Sequence, residues 1–254
     1  GLGFYRDFTF AAFSVLFRSK PYLHLHGTGL SNNSSKIKCK LLKYIFKKSK
    51  LILISELLIH DVIQFTDIKN IAVINNCVDD PGFYPNLSKK TLHLLFLANL
   101  DERKGVKTAI DICAILINKG HDIKLHIAGS DTELLNKENL KKYIQSIDPN
   151  LNNFISLLGP VYGKEKDNLF KSVDIFLYPS QHDAAPLVAI EALSYGLPIV
   201  CSNQGALPDI VNNGINGYVS TTNDPYYYSE LVIKCAKNIN KLRINSRNSY
   251  LKKF

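Results

Sequence analysis

The 254-residue sequence contains no methionine and no tryptophan. Without a methionine, Gly1 is not a natural start, and the chain reads as an excised or partial piece. Cysteine is sparse: Cys39, Cys77, Cys113, Cys201 and Cys235 are an odd number, widely scattered, with no C-x-x-C pair. That argues against a disulfide framework or a structural zinc site and favours a reducing, cytoplasmic setting. Most of the five sit among apolar neighbours, as buried small hydrophobes do. No cluster of His, Asp, Glu or Cys stands at ligand spacing, so no bound metal is expected. The apolar segment "FTFAAFSVLF" is too short to span a bilayer, and it lacks the basic start and cleavage pattern of a signal peptide. No repeat of solenoid period and no low-complexity tract is present. Acidic residues are outnumbered, 22 against 31 basic, for a net charge of +9. Such a field draws anions: nucleotides, phosphates, acidic lipid or nucleic acid.

What is present is a globular composition, 46% hydrophobic, with length for one large or two modest domains. Strand-like and helix-like segments alternate, which predicts parallel α/β layers. "PYLHLHG", "LILIS" and "IAVINN" read as strands, with the basic amphipathic helix "KIKCKLLKYIFKKSK" between the first two. The stretch "CVDDPGFYPNLSKK" has two prolines, a glycine and no periodicity. It predicts a boundary near Asn86, giving domains 1–85 and 86–254. Beyond it, about six strands alternate with helices as in a doubly wound sheet, closed by the helix "DPYYYSELVIKCAKNIN". The first domain holds only about three units, without the opening strand and glycine loop of a complete one.

The segment "PSQHDAAPLVAIEALSYGLPIV" carries two carboxylates, Asp183 in a loop and Glu191 in a helix. Ligands of an open parallel sheet bind beyond the carboxyl ends of its strands, and "DIFLYPS" delivers Ser180 to that edge. Pro186 fits the first helical turn, where its missing N–H costs nothing. The N–H groups of Leu187 and Val188 then offer a seat for a diphosphate. Glu191 is flanked by Ala189, Ile190, Ala192 and Leu193, and two hydroxyls of a sugar-like diol would match its two oxygens. Periodicity alone favours the other reading, in which Glu191 faces solvent on an amphipathic helix.

The run from Pro179 to Val219 resembles the signature of the retaining glycosyltransferases of family 4, which have the B-type (GT-B) fold of two Rossmann-like domains. Asp183 and Glu191 match the paired acids with seven residues between them. Gly196 and Pro198 match the following turn, Gly205, Pro208 and Asp209 the next loop, and "GINGYV" the last piece. Upstream, "INNCVDDPGF", "LLFLANLDERKGV", "LHIAGS", "FISLLGPV" and "HLHGTG" match in order. Any one match is weak, and the ordered set is specific.

The resemblance implies a nucleotide-sugar donor, a UDP- or GDP-sugar, and a hydroxyl acceptor on a glycan or lipid-linked molecule of cell-surface polysaccharide synthesis. No tightly bound cofactor is implied. Glu191 would hold the ribose hydroxyls, and Asp183, where the family usually has Glu, the transferred sugar. Lys104 would clamp the diphosphate; alone, it reads as a solvated lysine. The family's arginine is replaced by Asn99, with Arg103 as a substitute. Val161 would meet the nucleobase through its backbone. Ala185, Pro186, Leu187 and Val188 would face the phosphates. His26 would reach the donor sugar and the acceptor, although a strand-end histidine is more often structural. The missing arginine and the incomplete first domain also fit a non-catalytic nucleotide-sugar-binding remnant.

In relatives acting on lipid-linked acceptors, a basic stripe of the first domain touches membrane. Residues 36–50, with Lys36, Lys38, Lys40, Lys43, Lys47, Lys48 and Lys50, fit an anionic surface on the inner face of the plasma membrane. They equally fit an ordinary surface helix. Nucleic acid is a poor match, since Tyr44 and Phe46 are the only interleaved aromatics and both follow the apolar pattern.

Overall fold

A computed structural model describes residues 2–27, 29–30, 36–82 and 91–254, with the side chains of 2–5 and 7 left aside. The chain divides into two compact units, Gly1–Asn76 and Cys77–Phe254.

The first unit contains α1 (Leu2–Leu16), β1 (Tyr22–Leu25), α2 (Lys36–Lys47), β2 (Lys50–Leu53), α3 (Ile59–Val62) and β3 (Ile71–Val73). Its strands form a parallel sheet in the order β1-β2-β3. Helix α2 packs Leu42, Ile45 and Phe46 inward at i, i+3 and i+4, as an amphipathic helix should.

The second unit runs β4 (Leu92–Leu97), α4 (Val106–Asn118), β5 (Ile123–Ala128), α5 (Lys137–Ile147), β6 (Ile155–Gly159), α6 (Gly163–Ser172) and β7 (Ile175–Tyr178). It continues through α7 (Leu187–Ser194), β8 (Ile199–Ser202), α8 (Leu207–Ile210), β9 (Gly217–Ser220), α9 (Pro225–Lys237) and α10 (Ile239–Lys253). The six strands form a parallel sheet in the order β6-β5-β4-β7-β8-β9. Side chains alternate across it. Leu94, Phe96, Ile175 and Leu177 enter one apolar layer with α4, α5 and α9. Leu95, Leu97, Phe176 and Tyr178 enter the other with α6 and α7. Strands buried on both faces explain the unbroken apolar runs in the sequence.

The division between units falls at 76/77, while Asn86 lies outside the described residues. Residues 77–82 belong with the second unit because the Tyr250 hydroxyl donates to the Val78 carbonyl at 2.8 Å and Arg247 pairs with Asp80 at 2.7 Å. The closing helix is α10, not α9. Its inward face includes Arg243 and Ser246 beside Leu242 and Tyr250, so no apolar period marks it. Arg243 lies 3.6 Å from Asp174, and Ser246 donates to the Asn216 carbonyl.

Candidate functional site

In the strand order β6-β5-β4-β7-β8-β9 the chain winds one way from β4, then returns to the other side at β7. The crevice beyond the ends of β4 and β7 is therefore the topological switch point, where such sheets bind ligands. A cleft of about 390 Å³ lies there. It is lined at strand ends by Asn99, Gly129, Val161 and Tyr178, and by Lys104 and Asp183 from the adjoining loops. Pro186 lines it just ahead of α7, Leu187, Val188 and Glu191 from α7 itself, and Lys166 from α6.

Lys104 ends a short helical turn, Glu102–Lys104, capped by the Asp101 side chain. Gly105 follows with φ +84°, and a β-carbon there would overlap the Pro179 carbonyl. Only glycine accepts that backbone without strain. The turn is pinned to the loop after β7 by the Gln181 N–H, which donates to the Arg103 carbonyl at 2.8 Å. Gly129, with φ +153°, similarly brings the end of β5 against the Ala98 carbonyl.

This packing sets the charges. Lys104 Nζ lies 2.5 Å from Asp183 Oδ2. The Tyr178 hydroxyl donates to the same oxygen at 2.7 Å. Burial, and next the charge of Asp183, push that hydroxyl well above the usual tyrosine range, so it stays a proton donor. Lys166 Nζ donates to Glu191 Oε1 at 2.7 Å. Glu191 is about a quarter exposed, at 25% of its side chain, and faces the cleft rather than bulk water.

Helix α7 starts at Leu187, one position later than expected, with Pro186 as its N-cap rather than inside the first turn. The first intrahelical donor is the Ala189 N–H, which reaches the Pro186 carbonyl at 3.1 Å. The N–H groups of Leu187 and Val188 thus stand ahead of the ladder, where the helix dipole favours an anion.

Lys104, Asp183, Glu191, Asn99, Val161, Pro186, Leu187 and Val188 are therefore brought together. Arg103 is not. Its side chain, 67% exposed, pairs with Asp101 at 2.6 Å and turns away from the cleft. That guanidinium holds the Asp101 carboxyl below its usual range. Ala185 is half-buried and does not line the cleft either, because it precedes the cap that turns the chain inward. His26 belongs to the other unit. It is exposed just past β1, its ring 4.1 Å from that of His24. Burial and the neighbouring His26 lower the pKa of His24.

Sequence reasoning did not single out Tyr178, Lys166 or the exposed Tyr162 at the rim. Lys166, Leu169 and Phe170 share the inward face of α6 at i, i+3 and i+4. That spacing was the available signal for Lys166. Among the described residues no group of three or more His, Cys, Asp or Glu side chains could hold a metal ion.

Solved structures share this architecture. HepE of Anabaena, in complex with UDP, superposes with a TM-score of 0.83 at 17% identity, covering 97% of this chain and 71% of that one. Sucrose-phosphate synthase of Thermosynechococcus elongatus gives 0.79 at 16% identity, over 96% of this chain and 67% of that one. These likenesses establish the two-domain GT-B fold. The amylovoran biosynthesis glycosyltransferase AmsK of Erwinia amylovora is 28% identical over 153 residues, 58% of this chain and 36% of AmsK. A D-inositol 3-phosphate glycosyltransferase of Pseudarthrobacter chlorophenolicus is 30% identical over 139 residues, 54% of this chain and 31% of the relative. The matches thus span about a third of the length of these two curated relatives. A sequence profile described as "Glycosyl transferases group 1" matches residues 83–251, more than half of the sequence, and the chain belongs to that family.

Proposed function

We propose that this chain binds the donor of a retaining glycosyltransferase of family 4, which moves a sugar from a UDP- or GDP-sugar to a hydroxyl of a glycan or lipid-linked acceptor in surface polysaccharide synthesis. The observation that carries this reading is the single cleft at the switch point, holding Lys104, Asp183, Glu191 and the start of α7. The diphosphate lies against the N–H groups of Leu187 and Val188, with Lys104 offsetting the charge that grows as it departs. Glu191 accepts from the ribose hydroxyls. Asp183, oriented by Lys104 and Tyr178, accepts from hydroxyls of the sugar. Val161 meets the nucleobase through its backbone. The bond from the anomeric carbon to the diphosphate breaks as the acceptor hydroxyl oxygen attacks the same face and passes its proton to the departing diphosphate oxygen, with His26 on the acceptor side. No tightly bound metal or cofactor takes part. The outer face of α2 meets an anionic membrane surface.

UDP and GDP, added separately, are expected to raise the melting temperature by mass action. Lys104→Ala and Glu191→Ala should each lower affinity by about tenfold or more, as loss of one charge-assisted contact does. Binding of neither nucleotide would sink the reading. A second reading, a nucleotide-sugar-binding protein without catalysis, is favoured by one observation: Asn99 stands in the cleft while Arg103 turns away from it. Hydrolysis of a UDP- or GDP-sugar by the full-length protein, lost in Lys104→Ala, separates the two.

A further inference from the structure

Lys166 has no role in the reading above, yet it lines the same cleft and donates to Glu191 at 2.7 Å. It stands in the first turns of α6, which begins at Gly163. A cation there opposes the helix dipole, so the position calls for a compensating partner. The side chain reaches α7 instead of solvent and is only 29% exposed.

An ordinary tether between α6 and α7 is already present. The Tyr195 hydroxyl donates to Asp167 at 2.7 Å, and the Phe170 and Tyr195 rings stack 5.0 Å apart. Lys166 adds something different, a contact to one oxygen of a carboxylate inside the cleft. With Oε1 fixed by the ammonium, the plane of the carboxylate is set and Oε2 is left to accept from a ligand. The cleft also holds a second such pair, Lys104 with Asp183. Each carboxylate is thereby matched by its own lysine, and an anionic ligand does not meet two uncompensated negative charges.

We infer that Lys166 is a positioning residue: it orients Glu191 so that the carboxylate reads the ribose hydroxyls of the donor nucleotide. This rests on the reading of the cleft as a nucleotide-sugar site. It assigns to α6 a part in telling ribonucleotides from deoxyribonucleotides.

The test is calorimetric titration of the full chain with UDP and GDP and with their 2′-deoxy counterparts. Lys166→Met should weaken binding of the ribonucleotide about tenfold, the scale of one charge-assisted partner lost. It should weaken the 2′-deoxyribonucleotide, which keeps only the 3′-hydroxyl for Glu191, by less, so that the preference for ribose shrinks. Lys166→Arg should restore that preference. Tyr195→Phe, which loosens the same helix pair without touching Glu191, should lower the melting temperature and keep the preference. A Lys166→Met protein that retains the full ribose preference overturns the inference. So does one that binds the ribonucleotide more tightly, because the lysine would then be occupying the seat of the diol. If the wild type binds neither nucleotide, the donor reading falls and takes this one with it. If the wild type binds and Lys104→Ala weakens it while Lys166→Met changes nothing, only the role of Lys166 is lost.

Discussion

Cys113, Cys201 and Cys235 are buried thiols in the layers of the second unit, while Cys77 is exposed and Cys39 half-buried. Burial pushes the Cys113 thiol from 9.0 up to about 12. Below pH 9.0 it is neutral both folded and unfolded, and stability does not depend on it. Above that value the unfolded chain loses the proton first, so stability falls as pH rises from 9.0 toward about 12. Burial likewise raises Cys201 and Cys235, which add to the same slope. Urea midpoints measured between pH 8 and 11 should decline, and less steeply in Cys113→Ala after correction for the cavity. Alkylation of the native protein at pH 8 should label Cys77 first and reach the three buried thiols only after denaturation. Early labelling of Cys113 would contradict its burial.

At the scale of elements, the turn that presents Lys104 depends on Gly105. Gly105→Ala should cost about 1–2 kcal/mol for the left-handed backbone, and more because the added carbon meets the Pro179 carbonyl. Urea denaturation reads that loss, and nucleotide titration should show weaker binding because Lys104 is displaced. Helix α2 makes a different prediction. Beyond its buried face it exposes a ridge of Ile37, Leu41 and Tyr44, at 72%, 44% and 54% exposure, flanked by Lys40, Lys43 and Lys47. Each lysine near an anionic surface is worth about 1 kcal/mol. Replacing those three with Glu should abolish sedimentation with phosphatidylglycerol vesicles in low salt. If the wild type does not sediment either, α2 is an ordinary surface helix.

These elements also explain what the sequence disclosed. The six strands of the second unit were legible because runs such as "LHLLFL" and "DIFLY" are apolar on both faces. Helix α10 was not, because its inward face places Arg243 and Ser246 against backbone carbonyls. Lys104 and Glu191 were legible through their place in an ordered motif set. Lys166 was hidden in "GKEKD", where neighbouring charges look alike until the helix phase shows which one turns inward. The direction of Arg103 was hidden for a related reason: adjacent cations on a tight turn point in different directions, and Asp101 captures the first.

The division of the molecule places every residue lining the cleft in the second unit, 77–254. Both apolar layers of the six-stranded sheet lie within it as well. A unit that owns its core can fold alone. Residues 77–254, expressed as a separate chain, should melt cooperatively and bind UDP or GDP with the affinity of the full chain. They should not transfer a sugar, because His26 and the acceptor side belong to the other unit under the proposed function. Calorimetry on the separate unit measures both properties. Cooperative melting with unchanged affinity would establish that donor recognition is complete in one unit. A separate unit that folds but binds a hundredfold more weakly would mean that the first unit contributes directly to the donor site. A unit that aggregates or melts without cooperativity would mean that its core needs the residues before Cys77.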